Sequence, residues 1–399
     1  MPRFEPFPGI RYDLTLADAA SVTAPPYDVI DEEERAALAA QDPHNVVVID
    51  LPVGDGDPYA DAATAFTAWQ RDGVLIADEP SFYVYRMDYV DEAGVARHTT
   101  GVFGALELSR PGEGGILPHE QTTPKAKSDR LNLLRATHAN LSAVWGLSPA
   151  AGLSALLETS DAPLASWDDP DGVTHSLWVV TEADRLEKIS ATVGSSPVVI
   201  ADGHHRFETS LAYRDERRAE ADDPDGASGA AYNAVLTYVV ELADDELTVL
   251  PIHRLISGLP DGFDLVGALS SHFCVTPCAD PDPGTLRFMQ NQSCLTLVAP
   301  HGSYILTPDK DAMRGLRPLD TVRLDAALAG LPDHDLVFQH GIDNVVDAVR
   351  SGRAQAGVLL RPATVPQIIK IADGGERMPP KTTFFHPKPR TGVVFRDLD

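Results

Sequence analysis

Lysine and cysteine are the scarce residues of this 399-residue chain, with seven of the one and three of the other. The cysteines, Cys274, Cys278 and Cys294, are too sparse and too odd in number for a disulfide-stapled secreted domain, and they suit a reducing compartment. Cys274 and Cys278 lie close enough to share a metal, but without a second ligand pair they read as plain thiols rather than a zinc site. Long apolar runs are missing too. No stretch approaches the ~20 residues a membrane helix needs, and the opening MPRFEPFPGIRYDL has no apolar signal-peptide region, so a cytoplasmic protein is expected. Basic charge is in deficit, with 32 Lys and Arg against 59 Asp and Glu for a net charge of −27. Such a chain is repelled by phosphate backbones and anionic lipid, so neither nucleic acid nor membrane is expected as a partner. The phosphate loop GxxxxGK[ST], the dinucleotide loop GxGxxG and the zinc motif HExxH are absent, which removes the functions that depend on them. What remains is a globular composition, 43% hydrophobic and 23% charged, able to bury real cores. At about 150 residues per domain, the length allows two or three domains.

Helical and strand patterns alternate along the chain rather than segregating, which points to an α/β fold. Asp31 with Glu34 predicts a capping box opening a helix through Gln41. Residues 45–51, NVVVIDL, read as a buried strand, and 57–73 as an amphipathic helix closed by glycine. A hairpin is expected from 81–90 and 95–108. After a Gly/Pro-rich break at 110–118, the polar segment 121–129 leads into a helix expected to reach Leu141. Residues 149–175, rich in Ala, Asp and Pro, read as a surface insertion. Strands are then expected at 176–181, 197–201 and 232–241, and helices at 182–193 and 206–221. Beyond Leu259 a second α/β region carries helices near 262–272, 319–330 and 342–351. The expected division is an N-terminal α/β region (1–110), a core (111–258), a C-terminal α/β region (259–365) and a basic tail (366–399).

Chemistry concentrates in three segments. The sharpest is PVVIADGHHRFE, 197–208. A strand ends at Asp202, Gly203 permits a tight turn, and His204, His205 and Arg206 open a helix. Free backbone N–H groups, the positive end of a helix dipole and a guanidinium then meet at one point, an arrangement that holds phosphate. The carboxylate and the imidazoles add acid–base or metal capacity. The plainer alternative is a strand–turn–helix connection in which Asp202 only caps the helix.

The second segment, LPHEQTTPKAKSDRLNLLR (117–135), sets His119 and Glu120 ahead of hydroxyls and the ammonium groups of Lys125 and Lys127. An ordinary solvated helix flank has the same composition. The third is the tail RMPPKTTFFHPKPRTGVVFR (377–396), with five basic residues and no acidic one. Four of the seven lysines, Lys125, Lys127, Lys381 and Lys388, fall in these two segments. Prolines beside Thr382 and Thr383 would fix their hydroxyls near ammonium groups, so an anionic partner is expected unless the tail merely neutralises the acidic body. Among weaker candidates, Tyr27 and Asp28 in APPYDVI (24–30) would line a pocket or form a buried turn. His253 and Arg254 would reach an anion or satisfy a chain end, and Trp145 and Trp178 read as core or pocket wall.

APPYDVI, LPHEQTTPKAKSDRLNLLRATHANLS, ADGHHRFETSLAY, LPIHRLI and MPPKTTFFHPKPRTGVVF together resemble a large bacterial and archaeal family without an assigned role, the domain-of-unknown-function 1015 family, over nearly the whole chain. The pair PHEQ (118–121) and DGHHR (202–206) is similar to the paired motifs of the free serine kinases, which use a ParB/sulfiredoxin-like fold. The fold this resemblance implies is α/β, a ParB/sulfiredoxin-like nucleotide-binding core elaborated by N-terminal and C-terminal α/β regions. It implies Glu120 as the base that accepts an alcohol proton, with Asp202 and His204 beside it in the catalytic set. Gly203, His204, His205 and Arg206 would grip the phosphates of the nucleotide, joined by Lys125, Lys127, Lys381, Thr382, Thr383 and Lys388. His119, Tyr27, Asp28, His253 and Arg254 would face the substrate, and Asp202 would bind the substrate or orient a metal.

The implied reaction transfers phosphate from ADP or ATP, with Mg²⁺, to a hydroxyl, foremost that of L-serine to give O-phosphoserine. A phosphatase of phosphoserine-like esters and a non-catalytic nucleotide sensor stay open beside it, and a homodimer is compatible with all three. Two relatives on the same fold lack their parts here. The sulfiredoxin cysteine position is His204, and a ParB-type DNA module needs a basic helix-turn-helix.

Overall fold

The computed structural model describes the chain except residues 92–93, 111–112, 119–123, 224–225, 227–228, 244–245, 374–378 and 380, and only the backbone of 118, 124–127, 369, 372 and 373. Residues 1–248, 369–377 and 387–399 form one unit, and 249–368 with 378–386 form the other. In the first unit the strands are β1 (Phe4–Glu5), β2 (Gly9–Tyr12), β3 (Leu75–Ala77), β4 (Phe82–Val90), β5 (Ala96–Glu107), β6 (Ile116–Pro118), β7 (Ala139–Asn140), β8 (Val144–Ser148), β9 (Ala165–Asp168), β10 (Thr174–Val180), β11 (Val198–Asp202) and β12 (Ala234–Glu241). Its helices are α1 (Ala19–Val22), α2 (Glu32–Gln41), α3 (Val47–Asp50), α4 (Pro58–Arg71), α5 (Pro124–Thr137), α6 (Leu153–Leu157), α7 (Ala183–Gly194) and α8 (His204–Glu220).

A mixed nine-stranded sheet runs β6-β11-β8-β12-β5-β4-β10-β9, with β1 also paired to β5. The β6–β11 and β8–β12 pairs are parallel and the rest antiparallel. Residues 82–85 of β4 are buried on both faces and read as an apolar run, while Arg86 and Asp88 beyond them are half-exposed. Phe82, Val84, Val102, Val198 and Ile200 pack with Ile189 and Val193 of α7 and Phe207 of α8 in one core. A smaller antiparallel sheet joins β3, β2, the C-terminal strand Phe395–Asp397 and β7. Its core, with Ile10 and Phe395, takes in Phe66 and Trp69 of α4 and Leu133 of α5. The sheet therefore crosses the boundary expected at residue 110, because β4 and β5 pair with strands on either side of it.

The second unit is built on a six-stranded antiparallel sheet in the order Phe273–Cys278, Gly302–Pro308, Leu295–Ala299, Ala356–Leu359, His253–Ser257, Asp335–Gln339. Helices Leu265–Leu269, Asp320–Leu328 and Ile342–Arg350 fall where the sequence predicts them.

Three sequence expectations are corrected. Residues 45–51 hold α3 instead of a strand: Asn45 Oδ1 accepts from Val47 N–H at 3.0 Å, and Asp50 N–H donates to Val46 O at 2.8 Å. Residues 149–175 are not a surface insertion, since they carry the sheet strand β9 and α6, whose Leu153 and Leu157 are buried in the main core. The helix expected to reach Leu141 stops at Thr137, because His138 turns to a φ of +50° and Ala139–Asn140 joins the small sheet. The three cysteines are free thiols. No helix among the described residues is long and apolar enough to cross a membrane.

Candidate functional site

The buried run Val198–Ala201 of β11 gives way to a carboxylate at Asp202 and then to Gly203, whose φ of +83° suits glycine. A side chain there would set its Cβ 2.9 Å from Arg206 Nε. The chain enters α8 at once, and the first i→i−4 bond runs from Phe207 N–H to Gly203 O at 2.9 Å. The N–H groups of His204, His205 and Arg206 precede that bond, at the positive end of a 17-residue helix.

Two cations close on Asp202. Lys388 Nζ lies 2.8 Å from its Oδ1 and 2.9 Å from Asp28 Oδ2, and Arg206 Nη2 donates to its Oδ2 at 2.8 Å. Arg206 Nη1 donates to Ala143 O. Burial opposes charge on Asp202, but Lys388 and Arg206 outweigh it and hold the carboxyl well below the usual carboxylate range. Burial likewise works against the Lys388 ammonium, and the Asp202 and Asp28 carboxylates overcome it and push its pKa up. Among the described residues no group of three or more His, Cys, Asp or Glu could hold a metal ion.

A second layer supports these groups. The Tyr27 ring has Arg130 Cζ at 4.4 Å and Arg206 Cζ at 5.9 Å from its centroid. Arg130, buried on α5, donates to Asp50 O at 2.7 Å and pairs with the carboxylates of Asp50 at 3.2 Å and Asp129 at 2.8 Å. Burial pushes the Asp50 carboxyl up against the pull of Arg130. Asp50, Arg130 and Arg206 line a small cavity of about 40 Å³ with Thr209 and Ser210.

The returning tail is pinned two residues beyond Lys388. Arg390 donates to Thr23 Oγ1 at 3.1 Å and Thr23 O at 3.0 Å, and pairs with Asp169 at 3.4 Å. Asp169 meets His175 Nε2 at 3.0 Å, and His175 Nδ1 meets the Tyr85 hydroxyl at 2.7 Å. Burial lowers the His175 pKa although Asp169 works the other way.

Of the residues singled out in the sequence, Asp202, Gly203, His204, His205, Arg206, Lys388, Tyr27 and Asp28 belong to the first unit, and the contacts above gather them. His119 and Glu120 lie outside the described residues, and Lys125 and Lys127 are described only as backbone of α5. Lys381, Thr382, Thr383, His253 and Arg254 belong to the second unit. There Arg254 donates to Ile252 O at 2.7 Å and Lys381 O at 2.9 Å, His253 Nδ1 accepts from Leu360 N–H at 3.1 Å, and Thr382 Oγ1 donates to Pro379 O at 2.7 Å. These polar atoms meet backbone groups within the unit. Trp145 is buried, and Trp178 packs half-buried against the main core of Phe82, Ile189 and Phe207. The roles of Asp50, Arg130 and Arg390 escaped the sequence reading because Arg130 meets Asp50 and Arg390 meets Thr23 and Asp169 far along the chain, and the Asp169–His175 pair carries no motif. Arg130 and Arg390 stood inside flagged segments, the second as one of the basic residues of the tail.

Similar solved structures include a free serine kinase in complex with AMP, at 14% identity and a TM-score of 0.38, covering 71% of this chain and 86% of that one. A conserved hypothetical protein from Pyrococcus furiosus is similar at 12% identity and 0.36, covering 71% and 90%. SbnI with a C-terminal truncation from Staphylococcus aureus is similar at 11% and 0.39, covering 72% and 84%. No curated protein matches the chain. The family model described as "Protein of unknown function (DUF1015)" matches residues 4–327, and the chain belongs to that family.

Proposed function

We propose that this protein is a cytoplasmic nucleotide-dependent phosphotransferase with a ParB/sulfiredoxin-like core, moving phosphate from ADP or ATP to the hydroxyl of a small molecule, foremost L-serine to give O-phosphoserine. The observation that carries this reading is the meeting of Arg206, Lys388 and the N–H groups opening α8 at the Asp202–Gly203 turn. Phosphoryl transfer asks little covalent chemistry of a protein; it depends on holding donor and acceptor in line and neutralising charge. The amides of His204, His205 and Arg206 suit phosphate oxygens, and Lys388, now shared by two carboxylates, has the charge to follow the phosphate. Lys125 and Lys127 would add charge, and Tyr27, Asp28 and His119 would border the acceptor. Glu120 is assigned as the base, as the PHEQ motif implies. Lys381, Thr382, Thr383, His253 and Arg254 are given no part.

Magnesium suits the donor set as an ion carried in by the nucleotide, because Mg²⁺ takes one or two carboxylates together with phosphate oxygens and water. Asp28 and Asp202 would hold it once Lys388, which now bridges them, turns to the phosphates, and it would supply charge neutralisation there.

The test is an assay of the purified protein with ADP or ATP and L-serine, read as O-phosphoserine formed. Glu120→Gln should slow turnover by about 100-fold or more. Equal turnover in both proteins would remove Glu120 as base, and no transfer to any alcohol would end the kinase reading. Phosphate released from phosphoserine without nucleotide would mark a phosphatase instead, and nucleotide binding without product a sensor.

A further inference from the structure

We infer that the second unit carries a ligand site of its own, for a small organic molecule bearing one carboxylate or phosphate group. A cavity of about 450 Å³, lined wholly by residues of that unit, opens beside the helix Asp320–Leu328. That volume lies in the range of small-molecule sites.

Its chemistry is set by Asp320, Arg361 and Arg323. Asp320 is buried, and both of its oxygens are taken. Oδ2 accepts from Arg361 N–H at 3.0 Å and Nε at 2.9 Å, and Oδ1 accepts from Arg361 Nη2 at 2.6 Å. This pair is closed on itself, fixes the guanidinium plane and adds no net charge to the cavity. Arg323 is matched differently. Its nearest carboxylate contact is Asp320 Oδ1 at 3.9 Å, beyond hydrogen-bond reach, and its buried Nε has no hydrogen-bond partner among the described residues. The side chain is only 21% exposed.

The cavity therefore holds one surplus positive charge and a guanidinium with donors to spare, inside a chain of net charge −27. With the oxygens of Asp320 occupied, a cationic ligand would have to break the Arg361 pair, whereas an oxyanion would take up the donors of Arg323. The apolar wall of Ile252, Leu319 and Leu360 calls for an organic body attached to that oxyanion rather than a bare ion. None of these residues takes part in the phosphotransferase reading.

The test titrates benzoate and phenyl phosphate calorimetrically into the wild-type chain, Arg323→Gln and Arg323→Lys. Circular dichroism would check that the variants keep the fold. The wild type should bind one equivalent of at least one probe that R323Q binds about tenfold or more weakly. R323K, which keeps the charge and loses the planar fork, should fall between. Preference for benzoate assigns the ligand as a carboxylate, and preference for phenyl phosphate as a phosphate ester. Identical isotherms for wild type and R323Q with both probes, or no binding of either probe, would overturn the site.

Discussion

Lys388 shows how much a single side chain holds in this molecule. It lies between Asp202 and Asp28 with its side chain 12% exposed, so Lys388→Met leaves two part-exposed carboxylates without their shared cation. Leaving part-buried charged groups unpaired costs about 1–3 kcal/mol, and urea denaturation at neutral pH should show that loss, with Lys388→Arg recovering most of it. Asp202 also sets an acid limit. Its folded pKa lies below the ordinary value of 3.8, so its contribution is whole above 3.8 and is lost as the pH falls below that value toward the folded one. The acid-side fall in stability should be shallower in Lys388→Met. His253 acts over a higher window. Burial first, then the nearby His340 and Arg254, pushes it down from 6.5 to about 4. A neutral buried imidazole stabilises fully above 6.5 and loses that contribution as the pH falls to about 4, which amounts to about 3 kcal/mol. His253→Gln, which keeps an acceptor for Leu360 N–H, should flatten stability over that window; an unchanged slope would assign the effect elsewhere.

At the scale of elements, the turn into α8 is the joint on which the site depends. Gly203→Ala would place a side chain in left-handed backbone, at a cost of about 1–2 kcal/mol, and against Arg206 Nε. A thermal melt should show the strain, and the Arg206–Asp202 pair should loosen with it. This joint was legible in the sequence because its signal is local: an apolar strand, a carboxylate, a glycine and three polar residues in consecutive positions. The helix at 58–71 was legible for the same reason, with Asp57 accepting from Tyr59 N–H and Ala60 N–H. Residues 45–51 were not, since a short buried apolar run fits a strand or a helix equally until its partners are known. The segment 149–175 deceived through composition. Its Ala, Asp and Pro suggest surface, while Leu153, Leu157 and Trp167 bury themselves in the fold.

At the scale of the whole molecule, the chain assembles its units from discontinuous pieces. Residues 387–399 return to the first unit with Lys388, Arg390 and a strand that joins β2 and β7, while 378–386 stay with the second. The basic tail was visible as a charge inversion, but its division between two units was not, because no composition shift marks it. The Asp169–His175–Tyr85 chain that anchors Arg390 was equally hidden, because Asp169 and His175 face each other across a short turn but reach Tyr85 only through the pairing of β4 with β10. The most direct measurement is a calorimetric titration of ADP into the wild-type chain and Gly203→Ala. Saturable one-to-one binding is expected in the wild type, about tenfold or more weaker in the variant. No binding by the wild type, or equal affinity in the two, would contradict a phosphate site at the Asp202–Arg206 turn.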